Sequence, residues 1–243
     1  MQRYFFELSY NGTDYFGWQR QPKEISVQQV IEDSLSKMHS NQEIKVVGCG
    51  RTDSGVHAKH FALHVELPII SDTDKMTFKL NRMLPDSIVI SKIYSVNSEL
   101  HARFSAKART YRYYIHSAKN PFKKNLSWHV PQELNIDEMN KAARQLIGKK
   151  DFTSFSKLHT DVKTNICNVT KAEWVKEADG IYFEISSDRF LRNMVRATVG
   201  TLMDVGFGKI KAESMSEILS AMNRQAASVS VPAHGLFLWK VDY

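Results

Sequence analysis

One connection in the first quarter of the chain gathers several residue types that can do chemistry. Residues 48–60 read G-C-G-R-T-D-S-G-V-H-A-K-H and hold three glycines, an arginine, an aspartate and two histidines. The runs on either side, 44–47 and 60–67, are rich in β-branched or alternating apolar residues, which predicts strands. A polar turn, a metal site and a catalytic loop all fit this composition.

A metal site at this connection would draw on Cys49, His57, His60 and His64. In an extended strand, His60 and His64 share a face about 13 Å apart, at ~3.3 Å per residue. One tetrahedral zinc ion with ligands at about 2 Å cannot bind both. The sequence has no C-x-x-C pair and no H-x-x-x-H on a predicted helix, so we expect no metal here.

A serine nucleophile and a phosphate-binding loop are also disfavoured. Ser54 lacks a G-x-S-x-G context, and no Gly-Lys-Ser/Thr loop is present. From the residue types alone, the plainest interpretation is a glycine-rich turn in which Asp53 caps the backbone, because Asp, Ser and Gly are common turn residues. A catalytic role therefore needs further support.

The positive charge of the chain is concentrated in one block. The net charge is +7, and residues 101–130 contain basic residues but no Asp or Glu. The basic residues are Arg103, Lys107, Arg109, Arg112, Lys119, Lys123 and Lys124, and the aromatic residues among them are Phe104, Tyr111, Tyr113, Tyr114, Phe122 and Trp128. Cations bind phosphates and aromatic rings stack on unpaired bases, which favours nucleic acid as a partner. A solvated edge strand protected by lysines is the alternative.

The overall composition is that of a globular protein. The 243 residues are 42% apolar and 24% charged, enough for one large domain or two modest ones. No apolar run approaches the ~18 residues of a membrane helix, and the N-terminus lacks a signal-peptide pattern. Cys49 and Cys167 are far apart in sequence, so we expect reduced thiols and a cytoplasmic protein.

Periodicity predicts an α+β fold. In the first half, the order is βαββαβ, the ferredoxin-like unit, with Ser26 and Gln29 as a capping box. Its predicted elements are strand 3–10, a helix from 27, strands 44–47 and 60–67, helix 76–84 and strand 87–96.

The second half repeats this order with additions, and Asn135 is the expected N-cap of its first helix. The predicted elements are strand 109–116, helix 136–147, a hairpin of 171–176 and 181–186, helices 190–205 and 215–222, and strand 235–241. We expect two ferredoxin-like halves, 1–104 and 105–243, with their sheets joined around a central active-site cleft.

Several motifs, in order along the chain, resemble one enzyme family. G-R-T-D-S-G-V-H-A is similar to G-R-T-D-A-G-V-H, the signature of the tRNA pseudouridine synthase A family. Residues 10–21, 101–113, 151–155, 190–196 and 235–238 resemble further motifs of that family. The departures are Ser54 for the usual Ala and Ala197-Thr198 for the usual Asn-Ile, and neither removes a group that the chemistry needs.

The resemblance implies isomerisation of uridine to pseudouridine at positions 38–40 of the tRNA anticodon stem-loop. It implies Asp53 as the nucleophile, no cofactor, tRNA as the partner and a homodimer. Whether Asp53 attacks the ribose or the base stays open.

The resemblance also places Arg196 at the basic catalytic position beside the nucleophile. If 190–205 is helical, Arg189, Arg192 and Arg196 lie on one face, and Arg192 becomes a candidate for substrate binding. A solvated helix face is the alternative for these arginines.

Tyr111 matches the active-site tyrosine of the family, which stacks on the target base. Alternation along the strand fits Tyr113 equally well to a packed position. Arg51, two residues before Asp53, is expected either to help flip the target nucleotide or to hold the loop. The remaining candidates for RNA binding are Arg103, Lys107, Arg109 and Arg112. The competing hypotheses are a non-catalytic RNA-binding protein on ferredoxin-like halves and, without a supporting carboxylate cluster, a metal-dependent nuclease.

Overall fold

The computed structural model describes residues 1–157 and 163–243. The described residues form two compact units: unit 1 is Met1–Lys107 with Phe237–Tyr243, and unit 2 is Ala108–Leu236. The strands are β1 (Gln2–Tyr10), β2 (Val47–Gly48), β3 (His57–Leu67), β4 (Ile88–Ser95), β5 (Ala108–His116), β6 (Trp128–His129), β7 (Gly148–Asp151), β8 (Ile166–Glu177), β9 (Gly180–Ser187) and β10 (Leu236–Asp242). The helices are α1 (Val27–Met38), α2 (Thr73–Met83), α3 (Ile136–Arg144), α4 (Met194–Gly206) and α5 (Ser214–Ser220). Both units mix helices and strands, which confirms the α+β class.

The sheet of unit 1 is ordered β4-β1-β3-β10. β1 is antiparallel to both of its neighbours, β10 runs parallel to β3, and β2 is antiparallel to β3. Helix α1 starts as its capping pattern predicted, because the Ser26 hydroxyl accepts a hydrogen bond from Gln29 N at 3.2 Å. The helices contribute Ile31, Leu35 and Leu80 to a fully buried core.

The predicted strand 44–47 is wrong except at its last residue. Val46 N donates to the Glu32 carboxylate at 3.1 Å, so that amide is not available to a strand ladder. β3 starts at His57, earlier than the sequence pattern indicated. On the face of β3 that carries His60, Ala62 and His64 are buried, whereas Glu66 is exposed.

The sheet of unit 2 is ordered β5-β9-β8-β7, with every neighbouring pair antiparallel. The predicted hairpin is confirmed as β8 and β9, and β6 adds a short parallel pairing to β5. Asn135 caps α3, because its side-chain oxygen accepts from Glu138 N at 3.1 Å. α3 ends at Arg144, before the predicted 147, and Gly148 at φ +105° starts β7.

The predicted helix 190–205 begins only at Met194. The Asp188 carboxylate accepts from Arg189 N at 2.7 Å, and Asn193 has a left-handed φ of 67°, so the chain turns before the helix starts. Arg189 and Arg192 therefore precede α4. The prediction that they share one helical face with Arg196 is wrong.

No helix formed by residues 1–157 and 163–243 is both long enough and apolar enough to cross a membrane.

Candidate active site

Asp53 lies in the connection between β2 and β3 of unit 1. It is half-buried and directly follows an exposed Arg51 and a buried Thr52. Its carbonyl accepts from Val56 N at 3.2 Å, which closes a tight turn directly before β3. The turn passes through Gly55, whose φ of +75° favours glycine. The aspartate is therefore presented from a defined turn, at a position that solvent can reach.

The backbone on both sides of Asp53 is fixed by an earlier segment of the chain. Trp18 N donates to the Thr52 carbonyl at 3.3 Å. Gly55 N donates to the Tyr15 carbonyl at 3.2 Å. Because these bonds bracket Asp53, its position depends on residues 15–18 as much as on its own loop.

Two glycines allow this segment to approach the loop closely. A Cβ at Gly12 would lie 2.0 Å from the Val56 carbonyl oxygen. A Cβ at Gly17 would lie 2.4 Å from the Thr52 carbonyl oxygen, and Gly17 also has a φ of +86°. Both contacts are with backbone atoms, which cannot rotate away as a side chain can. Any larger residue at these positions would displace the loop that carries Asp53.

The histidines of this region act as acceptors for backbone amides. His57 is fully buried, accepts from Gly12 N through Nδ1 at 3.0 Å and stacks on Phe237 at 4.5 Å. His60 Nδ1 accepts from Val241 N at 3.2 Å. Within the described ranges, no cluster of three or more His, Cys, Asp or Glu residues could hold a metal ion. These imidazoles therefore support the fold of the loop.

His64 repeats this role further along β3. Its Nδ1 accepts from Ala102 N at 3.0 Å, and the side chain is buried. Burial, followed by the positive charge of Arg3, lowers the pKa of His64 to about 4. The ring is thus neutral near pH 7, as its acceptor role requires.

A cavity of about 790 Å³ in unit 1 is lined by Arg51, Arg103 and Arg20, among other residues. Arg20 pairs there with Glu32 at 2.9 Å and with Asp33 at 3.2 Å. Arg51 and Arg103 are exposed. The structure thus brings two of the predicted RNA-binding arginines, Arg51 and Arg103, to one cavity. Arg51 lies two residues before Asp53 in the chain.

Tyr111 and Tyr113 lie on the same face of β5 in unit 2. Tyr113 is fully buried, its hydroxyl donates to the Pro232 carbonyl at 2.9 Å, and burial raises its pKa. Tyr111 is 9% exposed and packs edge-to-face against Phe190, with ring centroids 5.0 Å apart. Tyr113 is therefore the core tyrosine, and Tyr111 lies at the boundary of the core.

Arg196 occupies the first turn of α4 and is half-buried. Its Nε donates to the Val231 carbonyl at 2.8 Å, and Val231 N donates back to the Arg196 carbonyl at 3.3 Å. Arg192 is exposed, and its carbonyl accepts from Lys157 N at 3.0 Å. The two arginines thus sit in different backbone environments.

Arg112 takes part in a network of ion pairs across the sheet of unit 2. Its Nε lies 2.5 Å from the Glu184 carboxylate, which also pairs with Lys171 at 2.8 Å. The guanidinium lies 4.4 Å from the centroid of the Tyr182 ring. Burial alone would raise the pKa of Glu184, but the bonds from Lys171 and Arg112 outweigh it and hold that pKa below its ordinary value.

The other two basic candidates lie at the ends of strands. Arg109, on β5, is half-buried and donates to the Asp188 carbonyl at 3.2 Å. Lys107 has an exposed side chain, and its backbone N donates to the Asp242 carbonyl at 2.8 Å.

Sequence reasoning missed the residues that hold the loop. Gly12, Gly17 and His57 act through contacts with residues 35 to 45 positions away in the chain. The glycines are part of the motif at 10–21, but no periodicity indicates what a glycine touches. The burial of Glu32 was not predicted either, because no local sequence pattern marks an acidic residue on a helix as buried.

Known proteins with similar sequences identify the family of this chain. A family model described as tRNA pseudouridine synthase matches residues 8–105 and 142–243. The tRNA pseudouridine synthase A of Bacteroides thetaiotaomicron is 47% identical, over 100% of this chain and 91% of the relative. That of Parabacteroides distasonis is 47% identical over 100% and 96%, and that of Bacillus subtilis is 39% identical over 97% and 97%. The chain belongs to the tRNA pseudouridine synthase family.

Proposed function

We propose that this protein isomerises uridine to pseudouridine at positions 38–40 of the tRNA anticodon stem-loop, with Asp53 as the nucleophile. The observation that carries the proposal is the family match along the chain combined with the fixed turn that presents Asp53. A carboxylate on a turn whose backbone is bonded on both sides is suited to covalent catalysis, because little conformational entropy is lost when it reaches its target.

The reaction rearranges one nucleoside. The bond from ribose C1′ to N1 of uracil breaks, the base turns, and C1′ bonds to C5. C5 loses a proton and N1 gains one, so product and substrate have the same composition. No electron acceptor and no donor of a chemical group is consumed, and one carboxylate that adds to the ribose or the base can hold the intermediate.

The remaining roles follow from the resemblance. Arg196 is proposed as the basic catalytic residue, and Tyr111 as the ring that stacks on the target base and assists the proton at C5. Extrusion of the base from the stem costs a few kcal/mol, which phosphate contacts must offset. The proposed contacts are Arg51, Arg103, Lys107, Arg109 and Arg192. For Arg112, the pairing with Glu184 favours a role in the sheet of unit 2.

We further propose that the protein is a cytoplasmic homodimer of subunits with two ferredoxin-like halves. The βαββαβ order of the elements from β1 to β4 supports this for the first half. A non-catalytic RNA-binding protein is the alternative, and it would have no use for an Asp fixed so closely.

The test is to incubate the purified protein with unmodified tRNA, without added metal, and to map pseudouridine at single-nucleotide resolution. We expect product only at positions 38–40. A matched tRNA with cytidine at those positions should give none. Tight binding of both tRNAs without any pseudouridine would support the non-catalytic alternative and overturn the proposal.

A further inference from the structure

Phe104 of unit 1 is 76% exposed, although the turn that carries it is well fixed. His101 Nδ1 accepts hydrogen bonds from both Arg103 N at 3.0 Å and Phe104 N at 3.2 Å. A large apolar side chain on a mobile loop can fold away from water, whereas this ring is held outward. The protein thus maintains an exposed aromatic surface.

The same turn is tied to the body of unit 1. Ala102 N donates to His64 Nδ1 at 3.0 Å, and the Ala102 carbonyl accepts from the Tyr243 hydroxyl at 2.7 Å. Ser105 N donates to the His101 carbonyl at 2.9 Å, and Ser105 Oγ accepts from His101 N at 2.9 Å. A surface held in this way loses little conformational entropy when it binds a ligand.

The surroundings of the ring indicate the chemistry of that ligand. The Phe104 ring packs on the imidazole of His101, with centroids 4.4 Å apart, and the Arg103 guanidinium lies 5.5 Å from the Phe104 centroid. Arg103 and Arg51 both line the cavity of about 790 Å³ described above. An aromatic ring beside cations is the combination that binds nucleic acid, because the ring stacks on a base and the cations contact phosphates.

A second exposed phenylalanine in unit 1 has different neighbours. Phe78 of α2 is 68% exposed and lines a cavity of about 420 Å³ with Met38, Met83, Lys79 and Arg82. It has no described stacking contact with another ring. Exposure and nearby cations therefore do not distinguish Phe104 from Phe78, but the fixed turn of Phe104 and its ring contact with His101 do. Phe78 is a matched control.

We propose that Phe104 is a stacking platform for an exposed base of the tRNA, with Arg103 contacting a neighbouring phosphate. This deepens the proposed function, on which the identity of the RNA rests. The platform is a binding element and takes no part in bond making, so it acts on the binding of tRNA and leaves the chemical step to the Asp53 loop.

The experiment measures KM and kcat for unmodified tRNA, and direct tRNA binding, for Phe104→Ala, Phe104→Leu and Phe104→Tyr, with Phe78→Ala as the control. Stacking on one base predicts that Phe104→Ala raises KM and Kd roughly 5- to 150-fold with little change in kcat. Phe104→Leu should behave like Phe104→Ala, since it is apolar but not planar. Phe104→Tyr and Phe78→Ala should stay close to wild type, and all four variants should unfold at the wild-type temperature.

The salt dependence separates stacking from charge. Phe104→Ala should leave the slope of log Kd against log salt unchanged, whereas Arg103→Gln should reduce it by about 0.7 to 0.9. The proposal that Phe104 stacks on a base is wrong if wild type makes pseudouridine while Phe104→Ala keeps the wild-type KM and Kd. It is equally wrong if Phe104→Ala changes only the oligomeric state. If wild type binds tRNA without making pseudouridine and Phe104→Ala weakens that binding, the platform stands and the proposed function fails.

Discussion

The Asp53 loop of unit 1 and the β5–β9–β8 region of unit 2 are held by different forces. The loop of Asp53 is held by backbone hydrogen bonds, by glycines packed on carbonyl oxygens, and by the buried imidazole of His57. Strands β5, β9 and β8 are linked by ion pairs, in which the Glu184 carboxylate contacts both Arg112 and Lys171. The described contacts of the Asp53 loop thus involve mainly its backbone, whereas the strands of unit 2 are linked through charged side chains.

This difference matters for a protein whose proposed substrate is a polyanion. A cation already paired with a carboxylate gains less from a phosphate than an exposed one does. We therefore expect Arg112 to contribute to the stability of unit 2, whereas Arg51 and Arg103 stay the proposed contacts with RNA.

The largest expected effect comes from breaking the close approach at the Asp53 loop. Gly17→Ala places a methyl group 2.4 Å from the Thr52 carbonyl oxygen. We expect turnover to fall by about 100-fold or more, since a shift of about 1 Å in a reacting group can cost that much. Overpacking should also lower the free energy of unfolding by roughly 1–3 kcal/mol. Single-turnover kinetics and urea unfolding measure the two effects.

Gly208→Ala is the matched control for Gly17→Ala. Gly208 also has a positive φ, +70°, but no atom lies within 4 Å of a Cβ built there. It should lose only the ~1–2 kcal/mol of left-handed strain, with wild-type turnover. Equal losses of turnover in both variants would mean that close packing does not position the loop.

The next prediction contrasts two arginines, one expected to stabilise unit 2 and one proposed to contact RNA. Arg112→Gln removes a charge-assisted bond to the buried Glu184 and should lower the free energy of unfolding by about 1–3 kcal/mol. Its KM for tRNA should change by less than about threefold. Arg51→Gln, at an exposed position, should keep stability within about 0.5 kcal/mol and slow turnover. If Arg112→Gln is fully stable and binds tRNA poorly, Arg112 contacts RNA and its expected role in stability is wrong.

The smallest expected effect is a difference in pH dependence. His64 titrates near 6.5 in the unfolded chain but at about 4 in the fold, where Arg3, His101 and Glu66 surround it. The unfolded chain therefore binds the extra proton first, and stability falls as pH drops from 6.5 towards 4, by at most about 1.4 kcal/mol per pH unit. Glu184, with a pKa below its ordinary 4.5, loses its contribution only at lower pH.

Urea unfolding of wild type and His64→Gln at pH 7 and pH 5 measures this difference. Glutamine keeps an acceptor for Ala102 N but does not titrate, so the variant should lose about 2 kcal/mol less than wild type on acidification. The same loss in both proteins would contradict the lowered pKa of His64 in the fold.

Local signals predicted the elements of this fold well. The caps at Ser26 and Asn135 and the hairpin of β8 and β9 all follow from residues within a few positions of each other. The failures have non-local or competing causes. Glu32, on α1, takes the amide of Val46 from the predicted strand, and the Asp188 side chain and the left-handed Asn193 delay the start of α4.

The candidate site shows the same limit. The glycines and the family motif made Asp53 the candidate nucleophile, since both are written in consecutive residues. The fixing of its loop by Gly12 and Gly17 depends on which segments meet in space. The pairing of Arg112 with Glu184 likewise arises from strand register, since the two residues are 72 positions apart in the chain. From sequence alone, a strand whose cations are available to RNA cannot be distinguished from a strand whose cations pair with carboxylates of a neighbouring strand.

The most direct test of the central claim is Asp53→Asn, measured for both pseudouridine formation and tRNA binding. The substitution keeps the size of the side chain and removes the carboxylate, and Asp86→Asn, at an exposed position of unit 1, is its control. We predict no detectable pseudouridine from Asp53→Asn, with tRNA affinity and unfolding temperature close to wild type, and full activity from Asp86→Asn. Turnover of Asp53→Asn near the wild-type rate would show that the Asp53 carboxylate is not the nucleophile.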